Sequence, residues 1–244
     1  MSTLISKFFS AAMMVVAGSA FGEVDHGLFD HVLRTHVKDG HVDYPGVAAD
    51  KSYGQYLAQL ANAETPRAKN ETLVFYINAY NALAMKGILD GRSPSNAFTR
   101  HLFFKYSKYS LTKSEINLHS IEHEILRKLD EPRIHFAIAC ASESCPKVRS
   151  DAFTVTRLEE QLDDNARSFI NDSTRNRFDK KDKVAYLSQI FKWFDIDFEK
   201  SAGTVQKFIA KYVNDPDVAK ELAADGYKVK YLDYSWALNG TPPK

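Results

Sequence analysis

Beyond the N-terminal stretch, apolar positions recur at intervals of three and four. In "VDHGLFDHVLRTHV" they are Val24, Leu28, Phe29, Val32 and Leu33, the spacing of an amphipathic helix. "KDGHVDYPG" then breaks the pattern with turn residues. A second helix is predicted through "SYGQYLAQLANA", with Tyr53, Tyr56, Leu57 and Leu60 on one face. Thr65-Pro66 reads as the start of a third, with proline in its first turn. It leads into "ETLVFYINAYNALAMKGILDG", the most apolar helix of the chain, which stops at Gly91.

The pattern then changes. "FFKYSKYSLT" is aromatic and roughly alternating, which predicts a strand. "NLHSIEHEILRKL" is helical, with Leu118, Ile121, Ile125, Leu126 and Leu129 facing inward. "RIHFAIAC" has the composition of a buried strand. Thr156 and Glu159 form a capping-box pattern ahead of the helix "RLEEQLDDNARSFI". "RFDKKDKVAYLS" predicts a hairpin, "GTVQKFIAKYV" a helix and "YKVKYLDYS" a final strand. Helices and strands without regular alternation predict an α+β fold: several helices packed on an antiparallel or mixed sheet, in a single domain.

Composition narrows the function classes. Lysine and arginine number 32 against 31 aspartates and glutamates, so no basic footprint for nucleic acid is present. No linker or internal repeat divides the chain. Lys7 followed by "FFSAAMMVVAGSAFG" has the pattern of a secretory signal peptide, with cleavage near Ala20 or Gly22. The apolar run falls short of the ~20 residues a membrane span requires. We therefore expect residues 1–22 to be a signal peptide and 23–244 one globular domain, periplasmic or secreted, with no membrane span after cleavage.

Five stretches, "FYINAYNAL", "SIEHEILR", "RIHFAIACASESCP", "LSQIFKWFDIDF" and "YLDYSWALN", lie in order along the chain. In these the sequence resembles the domain-of-unknown-function family 547. The resemblance implies a single exported bacterial domain without an assigned reaction. It marks Asn78, Asn81, Glu122, His123, His135, Cys140 and Cys145 as the polar members of the motifs. It also implies that plant-type relatives keep a counterpart of Cys140 and lack one of Cys145.

Three constellations could carry chemistry. Asn78 and Asn81, at i and i+3, share a helix face. Buried amides either tie the helix to loop backbone or bind a substrate, and an unsatisfied one costs roughly 1–3 kcal/mol. His119, Glu122 and His123 read H-x-x-E-H, the order of inverted zincin peptidases, in which two imidazoles hold zinc and the glutamate acts as base. Cys140 and Cys145 are the only cysteines. In an oxidising compartment such neighbours tend to pair, and the small loop they close would shape its surroundings more than it secures the fold.

Alternatively Cys140 is a nucleophile, with "ASES" offering backbone N–H groups for an oxyanion and His123 as base, oriented by Glu122 or Asn78. His135, five positions away on the predicted strand, would lie about 16 Å from Cys140 on the opposite face. Phe191, Trp193, Phe194, Phe198, Tyr231, Tyr234 and Trp236 are assigned to the core. Two classes of function follow. One is a thiol-dependent hydrolase of peptide or amide bonds, with Cys140, His123 and Glu122 catalytic and Asn78, Asn81 and His135 in binding roles. The other is a non-catalytic binding or scaffold domain with a local disulfide. A zinc peptidase using His119 and His123 ranks third. No cofactor is expected, and the partner would be a small molecule or peptide.

Overall fold

Asp25 opens the first helix of the computed structural model, which describes residues 24–243. The expected signal peptide, residues 1–22, lies outside the described residues. The Asp25 carboxylate accepts from the Gly27 N–H and caps α1 (His26–His36), whose Phe29, Val32 and Leu33 are buried. The predicted turn is a hairpin of β1 (Val37–Lys38) and β2 (His41–Asp43). Asp39 and Gly40 make it with φ of 51° and 84°, the left-handed pair that suits strand twist. Aspartates also cap α2 (Tyr44–Ala49) and α3 (Lys51–Asn62). Helix α4 (Lys69–Leu89) starts three residues beyond Pro66 and carries no side-chain cap, so the expected proline start is displaced. Every residue from Leu73 to Met85 is buried, which makes α4 the central helix of the fold. Gly91, at φ 77°, ends it as predicted.

The middle of the chain departs furthest from expectation. Asn96 and Thr99 form a capping box for α5 (Ala97–His101), which runs into a π-helical turn, Leu102–Tyr106. Of "FFKYSKYSLT", only β3 (Tyr109–Leu111) is strand, paired with β4 (Ser114–Ile116). Helix α6 (Leu118–Ser120) continues through a π-helical turn, Ile121–Ile125, and a 3-10 turn, Leu126–Leu129.

The expected strand "RIHFAIAC" is absent. Pro132–Phe136 is a 3-10 turn, and residues 137–140 run on without a ladder partner. Side-chain amides replace the neighbouring strand. Asn81 donates to the Ala137 carbonyl (2.9 Å) and accepts from the Ala139 N–H (2.8 Å), while Asn165 donates to the Phe136 carbonyl (2.8 Å). Buried backbone must be paired, but not necessarily by backbone.

Helix α7 (Leu158–Ile170) follows a 3-10 turn, Val155–Arg157. The capping box of Thr156 and Glu159 does not form, because Glu159 accepts from the Arg133 guanidinium instead (2.7 Å). The predicted hairpin joins β5 (Arg177–Asp179) to β6 (Val184–Leu187), and β6 pairs in parallel with β7 (Lys228–Tyr231), the predicted final strand. Between them lie α8 (Ile190–Trp193), α9 (Asp195–Ala202), α10 (Val205–Ala210) and α11 (Pro216–Ala223), of which only α10 is predicted from the pattern. A short strand, β8 (Gly240–Thr241), returns to pair with β2.

Helix accounts for 54% and strand for 12% of the described residues, so the fold is α+β in a single domain. Its strand is dispersed over three small sheets. No helix among the described residues is long and apolar enough to cross a membrane.

The apolar interior has two centres. One surrounds α4 and takes in α1, α3 and the start of α7. The other is a phenylalanine cluster in which Phe136 meets Phe169 (5.0 Å between ring centroids), Phe198 (5.7 Å) and Phe191 (5.7 Å). Helix α7 spans both, giving Leu158 and Leu162 to the first and Ala166, Phe169 and Ile170 to the second.

Candidate functional site

A cavity of about 440 Å³ opens where the two centres meet. Helix α5 and the π-helical turn after it contribute Arg100, His101, Phe104 and Lys105, and the turn after α6 contributes Glu122 and His123. The 3-10 turn Pro132–Phe136 brings His135, and the irregular segment after it brings Ile138, Cys140 and Cys145. Trp193, Phe194, Tyr234 and Trp236 form the opposite wall. The volume is in the range of small-molecule sites.

His135 and Cys140 therefore share a cavity, which corrects the placement on opposite faces of a strand. That expectation rested on extended geometry that the segment does not adopt.

His135 is the best-defined polar group. Its side chain is 1% exposed. The ring stacks on Phe194, with centroids 3.8 Å apart and planes at 19°. Nε2 lies 2.8 Å from the Asp197 carboxylate, and the Arg127 guanidinium grips the same carboxylate through Nε (2.6 Å) and Nη2 (2.8 Å). Although burial opposes it, the hydrogen bonds from His135 and Arg127 hold the Asp197 carboxyl far below the usual range. Burial lowers the His135 pKa despite that carboxylate, so the ring is neutral near pH 7. We assign its proton to Nε2, facing Asp197, which leaves Nδ1 as an acceptor. Nδ1 is buried and has no hydrogen-bond partner among the described residues. Its nearest carboxyl oxygen is Oε1 of Glu122, at 3.9 Å. Burial pushes Glu122 up to about 7, with Arg127 opposing and Asp197 reinforcing the rise.

His123 is differently engaged. Its Nδ1 accepts from Arg127 Nη1 at 2.9 Å. Burial, then His119 and Arg127, push its pKa down to about 4. The rings of His119 and His123 lie 4.2 Å apart, as the four-residue spacing implies. Among the described residues no group of three histidine, cysteine or carboxylate side chains is placed to hold a metal ion, so this pair has no third protein ligand.

The sulfurs of Cys140 and Cys145 stand at disulfide distance, with Cα atoms 6.1 Å apart, and no cysteine is free. The other contacts of Cys140 Sγ are the hydroxyls of Ser142 (3.1 Å) and Tyr234 (3.2 Å), while His123 lines the same cavity without bonding to the sulfur. Two of the four N–H groups of "ASES" expected as oxyanion donors are occupied, as is that of Cys145 beside them. The N–H groups of Glu143, Ser144 and Cys145 donate to the carbonyls of Ala237 (2.8 Å), Ser235 (3.3 Å) and Ser142 (3.1 Å).

Asn78 and Asn81 are likewise engaged with backbone. Asn78 donates to the Phe153 carbonyl (2.9 Å) and accepts from its N–H (3.0 Å), as Asn81 does for residues 137 and 139. Neither lines the cavity. Of the aromatics assigned to the core, Phe191 and Phe198 are fully buried. Trp193 is 45% and Tyr231 37% exposed, while Tyr234 and Trp236 are half-buried. Helix α8 ends after four residues, which turns Trp193 out of the interior and onto the cavity wall.

Sequence reasoning missed Asp197 and Arg127, which orient His135. The available signal was an aspartate between Ile196 and Phe198 in an aromatic run, where a carboxylate is costly unless partnered.

Searches of the curated proteins and of the solved structures found no match. Residues 65–170 match the sequence model of a family. The matched region runs from just before α4 to the end of α7 and contains Glu122, His123, His135 and both cysteines. Asp197, Trp193, Tyr234 and Trp236 lie beyond it, as do the resembling segments "LSQIFKWFDIDF" and "YLDYSWALN". Over residues 65–170 the chain is similar to the family described as "Protein of unknown function, DUF547".

Proposed function

We propose that the cavity is the active site of an exported hydrolase of peptide or amide bonds, with Glu122 and His135 sharing the acid–base work. One observation carries this reading: a buried imidazole nitrogen without a partner faces a carboxyl 3.9 Å away, while Asp197 holds the other ring nitrogen. A carboxyl titrating near 7 is suited to act as base when ionised and as acid when protonated. In the reaction, the Glu122 carboxylate takes a proton from water as the water oxygen bonds to the substrate carbonyl carbon. The protonated carboxyl then gives that proton to the amine as the C–N bond breaks. His135 can take the proton of resting Glu122 at Nδ1, and Asp197 stabilises the imidazolium that results.

Cys140 enters this chemistry only in reduced form, since a sulfur bonded to Cys145 has no thiolate. The cysteine pair itself favours the second reading, a non-catalytic binding domain whose disulfide shapes one wall.

Hydrolysis of a panel of peptides and N-acyl amino acids, with and without dithiothreitol, separates the cases. The proposal expects turnover without reductant, lost at least a hundredfold in Glu122→Gln and kept in the Cys140→Ser/Cys145→Ser double variant. Turnover that requires reductant and vanishes in Cys140→Ser would instead assign the thiol as nucleophile. Binding without turnover would leave the non-catalytic domain. Export is tested by the N-terminal residue of the protein recovered outside the cytoplasm, expected near position 21 or 23.

A further inference from the structure

The chain has two tryptophans, and both stand on the cavity wall. Trp193 and Trp236 have centroids 6.0 Å apart and planes at 25°, and Tyr234 lies 4.8 Å from one and 4.6 Å from the other. Phe104 extends this surface at 6.4 Å from Trp236. With Trp193 45% exposed, the rings form an open platform for a flat apolar group.

Arg100 lies over the Trp236 ring, its guanidinium carbon 4.5 Å from the centroid. Among the described residues neither Arg100 nor Lys105 has a carboxylate within ion-pair distance. A guanidinium stacked on an aromatic face keeps its planar fork of donors free for a carboxylate. The same cavity is lined by His135, whose buried Nδ1 has no partner among the described residues, and by Glu122, where the hydrolase reading puts the reacting bond. The cavity thus has an apolar platform, a cationic rim and an acid–base floor.

We infer that the substrate is a small amide bearing a free carboxylate and a flat apolar side chain, of the class of N-acyl aromatic amino acids. Arg100 receives the carboxylate, the Trp193–Trp236 platform receives the side chain, and the amide reaches Glu122. This assignment rests on the hydrolase reading for the fate of the amide, but its binding half can be measured without turnover.

The test titrates the Glu122→Gln protein with N-acetylphenylalanine, its uncharged amide N-acetylphenylalaninamide, and N-acetylglycine. Tryptophan fluorescence reports binding, because both indoles are at the site, and calorimetry repeats the measurement. The acid is expected to bind at least tenfold tighter than the neutral amide and than N-acetylglycine, with the first preference shrinking as salt is added. Arg100→Gln in the same background should abolish the preference for acid over amide and leave amide binding unchanged. Trp193→Ala should abolish the preference over N-acetylglycine, read by calorimetry. Far-ultraviolet circular dichroism and melting confirm that each variant is folded.

Equal binding of acid and amide, an acid preference that survives Arg100→Gln, or no binding of any probe overturns the inference. Binding as expected with no hydrolysis by the wild-type protein sustains the ligand class and removes the hydrolase reading. Hydrolysis without these preferences does the reverse.

Discussion

The two apolar centres share one use of buried polar residues and differ in another. Around α4, buried polar groups serve the backbone: Asn78 clamps Phe153, and Asn81 clamps residues 137 and 139. In the phenylalanine-rich half Asn165 and Asn176 do the same for Phe136, Phe169 and Ser188, but a further polar group at its border, Asp197, is directed at a side chain. His135 stands between Ile134 of the first centre and Phe136 of the second, and Asp197, beside Phe198, orients it. Both halves thus fix backbone with amides and divide in what they add, and the cavity lies at their border.

Removing a member of each half tests that division. Phe136→Ala should have the largest effect, a loss of about 3–5 kcal/mol in urea denaturation, as for other buried phenylalanines. It should also disturb the cavity, because His135 is its neighbour. Asn81→Ala should cost at least about 2 kcal/mol, since it strands one buried carbonyl and one N–H at roughly 1–3 kcal/mol each. If Asn81 instead served ligand binding alone, stability would be unchanged.

Glu122→Gln has an effect whose size depends on pH. The Glu122 pKa is raised in the fold from 4.5 to about 7. Between those values the unfolded chain releases a proton that the folded chain retains, so this group's contribution is full below about 4.5 and is lost as pH rises to about 7. At pH 8 the variant should therefore be more stable relative to wild type than at pH 4, by up to about 3 kcal/mol. A pH-independent difference would show that Glu122 is not held out of water. Asp197 acts in the opposite sense, since its depressed carboxyl contributes stability that is lost on acidification.

The smallest effect is expected for Cys140→Ser/Cys145→Ser, about 2 kcal/mol or less for so short a loop. The loop keeps other ties: Arg175 donates to the carbonyls of Glu143 (2.7 Å) and Cys145 (2.9 Å). A loss well above that size would make the disulfide a main fastening of the fold.

What could be read from the sequence follows the same boundary. Helices α1, α3, α4 and α7 were legible because each buries one stripe or, for α4, every face. The β5–β6 hairpin was legible from its charged turn. "RIHFAIAC" was not, because a continuous apolar run has no period to separate a strand from a chain held by amides. Asn81 carried the missing information fifty-odd residues upstream (Ala137 and Ala139 are its partners). For the site, Glu122, His123, His135 and both cysteines were singled out, whereas the pairing of His135 with Asp197 depends on contact across 62 positions, which no local pattern encodes. Trp193 and Trp236 were read as interior since aromatic spacing is the same for a core and for a platform.

The Arg127–Asp197 pair has a rear face. Both residues also border a smaller recess of about 160 Å³ shared with Asp130, Glu131 and Lys200. Asp197 thus links an imidazole of the cavity to a second opening. Solvent in that recess reaches the carboxylate that His135 bonds without passing through the cavity.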